Sequence, residues 1–230
     1  MNKRPCIMIV DDEEPMRKLL RVNLSVDGYD VVTALRPGFD CAHYHPMHDR
    51  VILKLVADAN TGRLLGAQGI GAGEVVRRID VLATAISFNA TLDMVAKLDL
   101  AYAPPFAEPM DAAIQAAALT ENKRQNLAHT IRAEELRRRL AAGEEILVLD
   151  VRTPGEVRFS PIRPSGAQVV AIPLDELRER LNELPQDRPL VVVCASGTRS
   201  YEAQRLLEAV GFHEVTFLEG GLVPVRAGML

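Results

Sequence analysis

The sequence predicts an α/β protein whose carboxy-terminal half forms a central parallel sheet flanked by helices. Two short aliphatic runs, residues 146–149 and 190–193, support this prediction, because such runs are typical of strands buried on both faces. Polar residues and then a helical apolar pattern follow the second run, as in a βαβ unit. Ahead of this sheet we expect an α+β domain and, at the amino terminus, a short β-α-β segment.

The composition is that of a globular protein with room for two small cores: 230 residues, 48% hydrophobic and 25% charged. A net charge of −4 argues against a nucleic-acid binder. No signal-peptide pattern opens the chain and no apolar run approaches membrane length, so we expect a cytoplasmic protein that does not bind membranes. Cys6, Cys41 and Cys194 lie far apart, which fits a reducing compartment better than a disulfide framework.

Residues 1–36 resemble the opening of a response-regulator receiver domain. A strand at 6–10 is followed by the acidic group at 11–14 and a helix, and residues 29–33 read as a second strand. The later strands, which carry the phosphoacceptor Asp and the Lys in that family, have no counterpart. We therefore expect a truncated β-α-β segment with a solvated acidic cluster, which docks on the rest of the chain or swaps with a partner chain.

The strand-like and helical patterns in residues 37–126 predict an α+β domain. Strand-like runs at 50–57 and 63–70 are joined by an Asp-Ala-Asn-Thr-Gly turn, which indicates a hairpin. An amphipathic helix follows, and Thr91 can cap a further short helix that runs to about residue 100. An Ala-rich helix over 111–121 ends the segment.

This segment resembles the dimerisation domain of the pyridine nucleotide-disulfide oxidoreductases, most closely the coenzyme A-disulfide reductase branch. The matching stretches are Leu65-Gly66-Ala67-Gln68, Arg78-Ile79-Asp80-Val81-Leu82-Ala83-Thr84-Ala85-Ile86 and Leu100-Ala101-Tyr102-Ala103-Pro104-Pro105-Phe106. The resemblance implies a homodimer in which Tyr102 reaches into the partner subunit's active site. The FAD and nicotinamide domains of that family have no counterpart here, so we expect no cofactor, and a separate flavoprotein reductase is a candidate partner.

Two other patterns in this segment suggest a site. The run Gly69-Ile70-Gly71-Ala72-Gly73 is similar to a dinucleotide fingerprint, but its third Gly comes one position early and its strand belongs to a hairpin, which favours a connecting turn. Cys41, His43, His45 and His48 have the chemistry of metal ligands. No second ligand cluster accompanies them, so we favour an exposed polar turn over a metal site.

Residues 127–230 contain the remaining elements of the parallel sheet. A charged amphipathic helix is predicted up to Ala142, with Gly143 ending it. A second helix is predicted over residues 174–184 and a last strand over 215–218.

The loop Cys194-Ala195-Ser196-Gly197-Thr198-Arg199-Ser200 is the most informative stretch. It joins the strand at 190–193 to a helix that continues until Gly211. The free N–H groups and the dipole of a helix start favour a thiolate, and a glycine lets successive N–H groups turn toward the sulfur. We therefore predict that Cys194 is a nucleophile with Arg199 as a cation beside it. The alternative for Cys194 is a small core residue.

The same residues, 127–230, resemble a rhodanese-type sulfurtransferase domain. Besides the loop, three stretches match in order: Leu149-Asp150-Val151-Arg152, Ala171-Ile172-Pro173-Leu174 and Leu218-Glu219-Gly220-Gly221. Two positions depart from the family. Ile162-Arg163-Pro164-Ser165-Gly166-Ala167 stands in place of a common His-Ile-Pro-Gly-Ala turn, and Val225 in place of a common Trp. These departures bear on the choice of donor more than on the type of reaction.

The resemblance implies that Cys194 takes a sulfane sulfur from thiosulfate, polysulfide or a thiol persulfide and passes it to a thiol or cyanide. The expected substrate-binding residues are Ala195, Ser196, Gly197, Thr198, Ser200 and Arg152. Arg152 either pairs with Asp150 or adds positive potential for an anionic donor. A non-catalytic scaffold, or an auxiliary subunit that delivers sulfur to a separate reductase, is the alternative function.

Overall fold

The computed structural model describes residues 30–225, which form two units that divide between Gln125 and Asn126. Within this range no helix is both long and apolar enough to cross a bilayer. The predicted strand at 6–10 and the acidic group at 11–14 lie outside the described residues, as does Cys6.

An antiparallel sheet and three helices form the first unit. Its strands, in sheet order, are β1 (Val31–Phe39), β2 (Arg50–Asp58) and β3 (Leu64–Gly71). Its helices are α1 (Val75–Ser87), α2 (Leu92–Ala96) and α3 (Ala112–Arg124). Alternate residues of β2 are buried, as expected for a sheet with one covered face. Leu53 and Leu55 pack there with Leu82 of α1, Leu92 of α2 and Ala116 of α3.

Local signals place the turns and caps of this unit where the sequence predicts them. Asp58 Oδ1 accepts from the N–H groups of Asn60 and Thr61, which closes the predicted hairpin turn. The Thr91 side chain accepts from Met94 N–H and caps α2. That helix ends at Ala96, earlier than predicted.

The first strand differs from the prediction. All of β1 pairs with β2, from Val31 opposite Asp58 to Phe39 opposite Arg50, so the strand runs through the boundary expected between residues 36 and 37. Pro37 fits because β1 lies at the edge of the sheet that the described strands form, where a residue without an N–H is tolerated. The described residues of the expected receiver-like segment, 30–36, therefore lead into and form part of an antiparallel sheet.

A parallel sheet of five strands, in the order β4-β8-β7-β5-β6, forms the second unit. Its elements in chain order are β4 (Thr130–Ile131), α4 (Ala133–Ala141), β5 (Leu147–Asp150), α5 (Pro154–Phe159), β6 (Gln168–Ala171), β7 (Leu190–Val193), α6 (Thr198–Ala209) and β8 (Val215–Leu218). Every residue of β5 and β7 is buried, as their aliphatic sequences predict. The predicted α/β class with a parallel sheet is confirmed.

One predicted helix of this unit is wrong. Residues 174–184 form successive turns and a short 3-10 helix, Leu181–Glu183. The N–H groups of Leu177 and Arg180 donate to carbonyl groups three residues earlier. This is the hydrogen-bond spacing of a 3-10 turn, whereas an α-helix spans four residues. Leu177 and Leu184 are nevertheless buried, because turns of this kind also place residues three or four apart on one side.

Candidate active site

The sheet topology brings the carboxyl ends of two neighbouring strands together. β7 pairs in parallel with β5, and Val193, the last residue of β7, lies opposite Asp150, the last residue of β5. Cys194 therefore starts its loop at the same carboxyl end of the sheet as Asp150 and Arg152, as predicted for a parallel sheet. In open α/β sheets ligands bind at the carboxyl ends of the strands.

The loop after β7 curls around the Cys194 sulfur. The Gly197 N–H group donates a hydrogen bond to Cys194 Sγ at 3.1 Å. Gly197 has φ +95°, a left-handed conformation that glycine adopts without strain. The helix's own hydrogen bonding starts with Tyr201 N–H to Gly197 O. The preceding N–H groups of the first turn of α6 thus lack intrahelical acceptors, and the positive end of the helix dipole lies at the loop.

The Gly220-Gly221 turn holds the start of this loop. Leu222 N–H donates to Cys194 O, and Val223 N–H donates to Ala195 O, each at 3.0 Å. A Cβ atom on Gly221 would lie 2.5 Å from Cys194 O, which no side chain can tolerate. The double glycine therefore lets the backbone approach the nucleophile loop closely.

An ion pair that was not predicted from the sequence fixes Arg199 at the rim. Its guanidinium donates two hydrogen bonds of 2.7 Å to the two carboxylate oxygens of Glu156 on α5. These bonds hold the pKa of Glu156 at about 2, and they raise the pKa of Arg199, with a smaller contribution from Cys194. Glu156 also completes a capping box with Thr153, and the Thr-x-x-Glu spacing was the sequence signal that marks this helix start.

Arg152, for which pairing with Asp150 and binding of the donor were both predicted as possible roles, is hydrogen-bonded to Asp150 and Ser160. Its guanidinium contacts both carboxylate oxygens of Asp150 at 2.7–3.1 Å and donates to Ser160 O at 2.9 Å. Arg152 is 4% exposed and Asp150 is 1% exposed. Of the two roles left open for Arg152, the observed contacts are those of the pairing with Asp150, which leaves little of the guanidinium accessible to a donor.

The other predicted residues lie around the loop at different depths. Cys194 is 1% exposed and Ser200 is fully buried, whereas Ala195 and Ser196 are half-buried and Thr198 is exposed. Ser200 Oγ has no hydrogen-bond partner among the described residues. The loop therefore combines a buried sulfur, which accepts the Gly197 N–H, with a buried hydroxyl.

The segment with Cys41 and the histidines does not assemble a metal centre. The Cys41 thiol is buried, and burial raises its pKa. Cys41 Sγ lies 3.9 Å from His45 Nδ1. Across residues 30–225, the structure contains no group of three His, Cys, Asp or Glu residues that could hold a metal ion.

The Gly-rich run at 69–73 has a packing explanation. Gly69 and Gly71 end β3, which pairs antiparallel with β2, so the strand belongs to a hairpin as predicted. A Cβ on Gly69 would lie 2.5 Å from Val75, and one on Gly73 would lie 2.8 Å from Asp40. These glycines let the connection into α1 pack closely.

The parallel sheet, with a cysteine loop between β7 and α6, defines a rhodanese-like unit. The chain belongs to the rhodanese-like family, since the Rhodanese-like domain family matches residues 132–227. It is 37% identical over 97 residues to a sulfurtransferase of Allochromatium vinosum, a match that covers 42% of this chain and 87% of that protein. The dimerisation domain of the pyridine nucleotide-disulphide oxidoreductases matches residues 22–114.

Relatives with reductase names match as well. An NAD(P)H sulfur oxidoreductase (CoA-dependent) of Pyrococcus abyssi is 44% identical over 85 residues, covering 37% of this chain and 19% of that protein. The structure of an NAD-dependent persulfide reductase from A. fulgidus matches with a TM-score of 0.77 and 43% identity, covering 91% of this chain and 35% of that chain. The chain thus spans about a fifth of that curated reductase and about a third of the solved one. Together the matches support sulfur transfer as the general function.

Proposed function

We propose that this protein is a sulfurtransferase that carries a sulfane sulfur as a persulfide on Cys194. The observation that carries the proposal is the loop geometry: a buried thiol accepts the Gly197 N–H at the start of a twelve-residue helix. N–H groups at a helix start stabilise a thiolate, which is the nucleophilic form of cysteine. The match to the rhodanese-like family supports the same chemistry.

In the first step the Cys194 thiolate attacks the outer sulfur of a donor such as thiosulfate. A new S–S bond forms on Sγ, the S–S bond of thiosulfate breaks, and its electron pair leaves with sulfite. A polysulfide or a thiol persulfide reacts in the same way, with a shorter polysulfide or a thiolate as the leaving group. Charge and atoms balance without an added oxidant or reductant.

In the second step an acceptor thiolate or cyanide attacks the outer sulfur and releases the Cys194 thiolate. The loop N–H groups hold the negative charge in both steps, as preorganised donors do at an oxyanion site. Arg199 provides a positive charge at the rim, and its two bonds to Glu156 keep the guanidinium in one orientation. Arg199 is therefore proposed to orient the anionic donor.

The burial of Cys194 supports a donor with an accessible terminal sulfur. With only 1% of the residue exposed, a bulky disulfide has little access to Sγ, whereas a single protruding sulfur atom can enter the loop. The half-buried Ala195 and Ser196 and the exposed Thr198 line the entrance on which such a donor would rest.

Intact-mass measurement of the reduced protein before and after thiosulfate or glutathione persulfide tests the proposal. We expect the gain of one sulfur atom on Cys194, lost again to cyanide or a thiol, and no gain in Cys194→Ser. Cys41→Ser is the matched control, because Cys41 is also a buried thiol but lies in the other unit, and it should load like the wild type. If no donor loads the wild type, the non-catalytic scaffold becomes the better interpretation.

We also propose that the first unit makes the protein a homodimer. The match to a dimerisation domain supports this, as do large apolar side chains exposed on two turns that a hydrogen bond from Ala42 N–H to Pro104 O links. These side chains are Tyr44, Met47, Tyr102 and Phe106. Sedimentation of the wild type and of Phe106→Glu is the test. We expect a dimer that the charged variant weakens, and a monomeric wild type would refute the proposal.

A further proposal concerns the acceptor. The matches to sulfur and persulfide reductases support delivery of sulfur to a separate flavoprotein reductase. A purified reductase that oxidises NADH faster with the loaded protein than with the loaded-then-cyanide-treated protein would support this role. Equal rates with the two forms would exclude it.

A further inference from the structure

A buried hydroxyl in the helix that follows the nucleophile loop has no hydrogen-bond partner within the described part of the unloaded protein. Ser200 is fully buried, and its Oγ has no hydrogen-bond partner among the described residues. Buried polar groups are almost always paired, because an unpaired one destabilises the fold. Such an exception at a reactive site indicates a partner that arrives with the ligand.

The position of Ser200 on α6 places this hydroxyl on the side of the loop. Ser200 is the third residue of the helix, which starts at Thr198. Helical side chains lean toward the amino end and lie over the residues three and four positions earlier. For Ser200 these are Gly197 and Ser196, and Gly197 is the residue whose N–H binds Cys194 Sγ. This direction places the hydroxyl over the part of the loop that carries the Gly197 N–H.

We propose that the Ser200 hydroxyl is the hydrogen-bond donor for the outer sulfur of the Cys194 persulfide. This inference deepens the proposed sulfurtransferase function and rests on it. The Sγ atom already accepts the Gly197 N–H in the unloaded protein, whereas the outer sulfur is an additional acceptor that enters the loop with the reaction. The outer sulfur carries the negative charge of the persulfide, and hydrogen bonds to a charged acceptor are stronger than those between neutral groups.

A hydroxyl that donates a hydrogen bond only in the loaded state shifts the loading equilibrium. In the reaction with thiosulfate, the thiolate becomes a persulfide and sulfite is released, so the ratio of the two protein forms at fixed thiosulfate and sulfite gives the equilibrium constant. Ser200→Ala removes the hydroxyl without adding volume. Loss of one hydrogen bond to a charged group should lower this constant about tenfold.

The unloaded protein should not respond to the same substitution. Because Ser200 Oγ makes no hydrogen bond to the described residues in that state, Ser200→Ala should keep the alkylation rate of Cys194 and should not lower the melting temperature of the unloaded protein. The increase in melting temperature on loading should be smaller than in the wild type. A merely structural role would instead lower the melting temperature of both states.

The experiment measures the loaded fraction of the full chain by intact mass over a series of thiosulfate-to-sulfite ratios, for the wild type, Ser200→Ala and Ser87→Ala. Ser87 is an exposed serine at the end of α1 in the first unit. We expect wild-type loading in Ser87→Ala and about a tenfold weaker equilibrium in Ser200→Ala.

Three results would overturn the inference, and they are distinguishable. If the wild type and Ser200→Ala load with the same equilibrium constant, the hydroxyl does not bind the outer sulfur, although the sulfurtransferase proposal stands. If the wild type itself takes up no sulfur, the proposed function fails and this role of Ser200 fails with it. A lower melting temperature of unloaded Ser200→Ala would show that the hydroxyl acts in the fold instead.

Discussion

The ion pair between Glu156 and Arg199 allows a quantitative test of how the active-site rim is held together. The perturbation is Glu156→Gln, combined with Arg199→Met in a double-mutant cycle. Gln at this position preserves the capping box with Thr153, so the substitution removes the charge and leaves the helix start intact. The cycle then isolates the coupling of the two side chains.

The magnitude follows from the pKa of Glu156, which falls from 4.5 to about 2 mainly because Arg199 hydrogen-bonds the carboxylate. At 1.36 kcal/mol for each pKa unit, this corresponds to an upper figure of about 3 kcal/mol. The Glu156 side chain is 35% exposed and that of Arg199 is 31% exposed, so solvent screening reduces the interaction energy below this upper figure. We therefore expect a coupling energy of about 1–2 kcal/mol at pH 7.

The pH dependence has a definite sign. The folded-state pKa of Glu156 lies below its unfolded value, so its charged form stabilises the folded protein. This stabilisation is fully present above about pH 4.5, and it is lost as the pH falls toward the folded-state pKa of about 2. The difference in unfolding free energy between the wild type and Glu156→Gln should therefore be smaller at pH 3 than at pH 7.

Urea unfolding followed by far-UV circular dichroism is the assay, since the sequence contains no Trp for fluorescence. The chain has two units, so each transition is fitted separately. A coupling energy near zero at pH 7, or a difference that does not change between pH 7 and pH 3, would refute the assignment of the Glu156 pKa to this ion pair.

Three further substitutions test the packing of the site and of the first unit. Gly221→Ala should abolish sulfur loading, because its Cβ would meet Cys194 O at 2.5 Å. Gly211→Ala is the control and should load normally, since Gly211 also has a positive φ but lies in open space. Equal loading of both variants would contradict the close approach of Gly221 to the loop. Arg152→Met should lower the unfolding free energy by about 3–5 kcal/mol, because it leaves the buried carboxylate of Asp150 unpaired. An unchanged stability with a raised KM for thiosulfate would instead favour a donor-binding role for Arg152. Arg78→Met should destabilise the first unit by a similar amount, about 3–5 kcal/mol, because it removes the buried 2.8 Å ion pair to Asp111; an unchanged urea midpoint would show that this pair is dispensable.

Much of the second unit could be predicted from local patterns. The aliphatic runs before Asp150 and Cys194 identify strands buried on both faces, and the residues after Cys194 identify a loop and a helix. Such signals depend on periodicity and on the chemistry of neighbouring residues, which the sequence displays directly. The segment 174–184 shows the limit of this reasoning, because the same apolar spacing suits an α-helix and a series of turns.

The expected boundary between residues 36 and 37 shows a second limit. The sequence predicts that a new segment starts at Pro37, yet β1 continues through Pro37 and Gly38. Whether a proline interrupts a strand depends on whether that strand lies at the edge of its sheet, and the order of strands is a property of the folded chain.

The amino-acid sequence by itself determined the class of the fold, the position of Cys194 at a strand end and the family of the second unit. Only the tertiary structure decided that Arg199 pairs with Glu156, 43 residues away, and that Arg152 forms a buried ion pair with Asp150. It also decided that Gly221 lies against the nucleophile loop and that Ser200 Oγ is buried without a hydrogen-bond partner in residues 30–225. The reason is physical: strand and helix signals are local, whereas the partner of a charge or a hydroxyl depends on which distant segments the fold brings within hydrogen-bond distance.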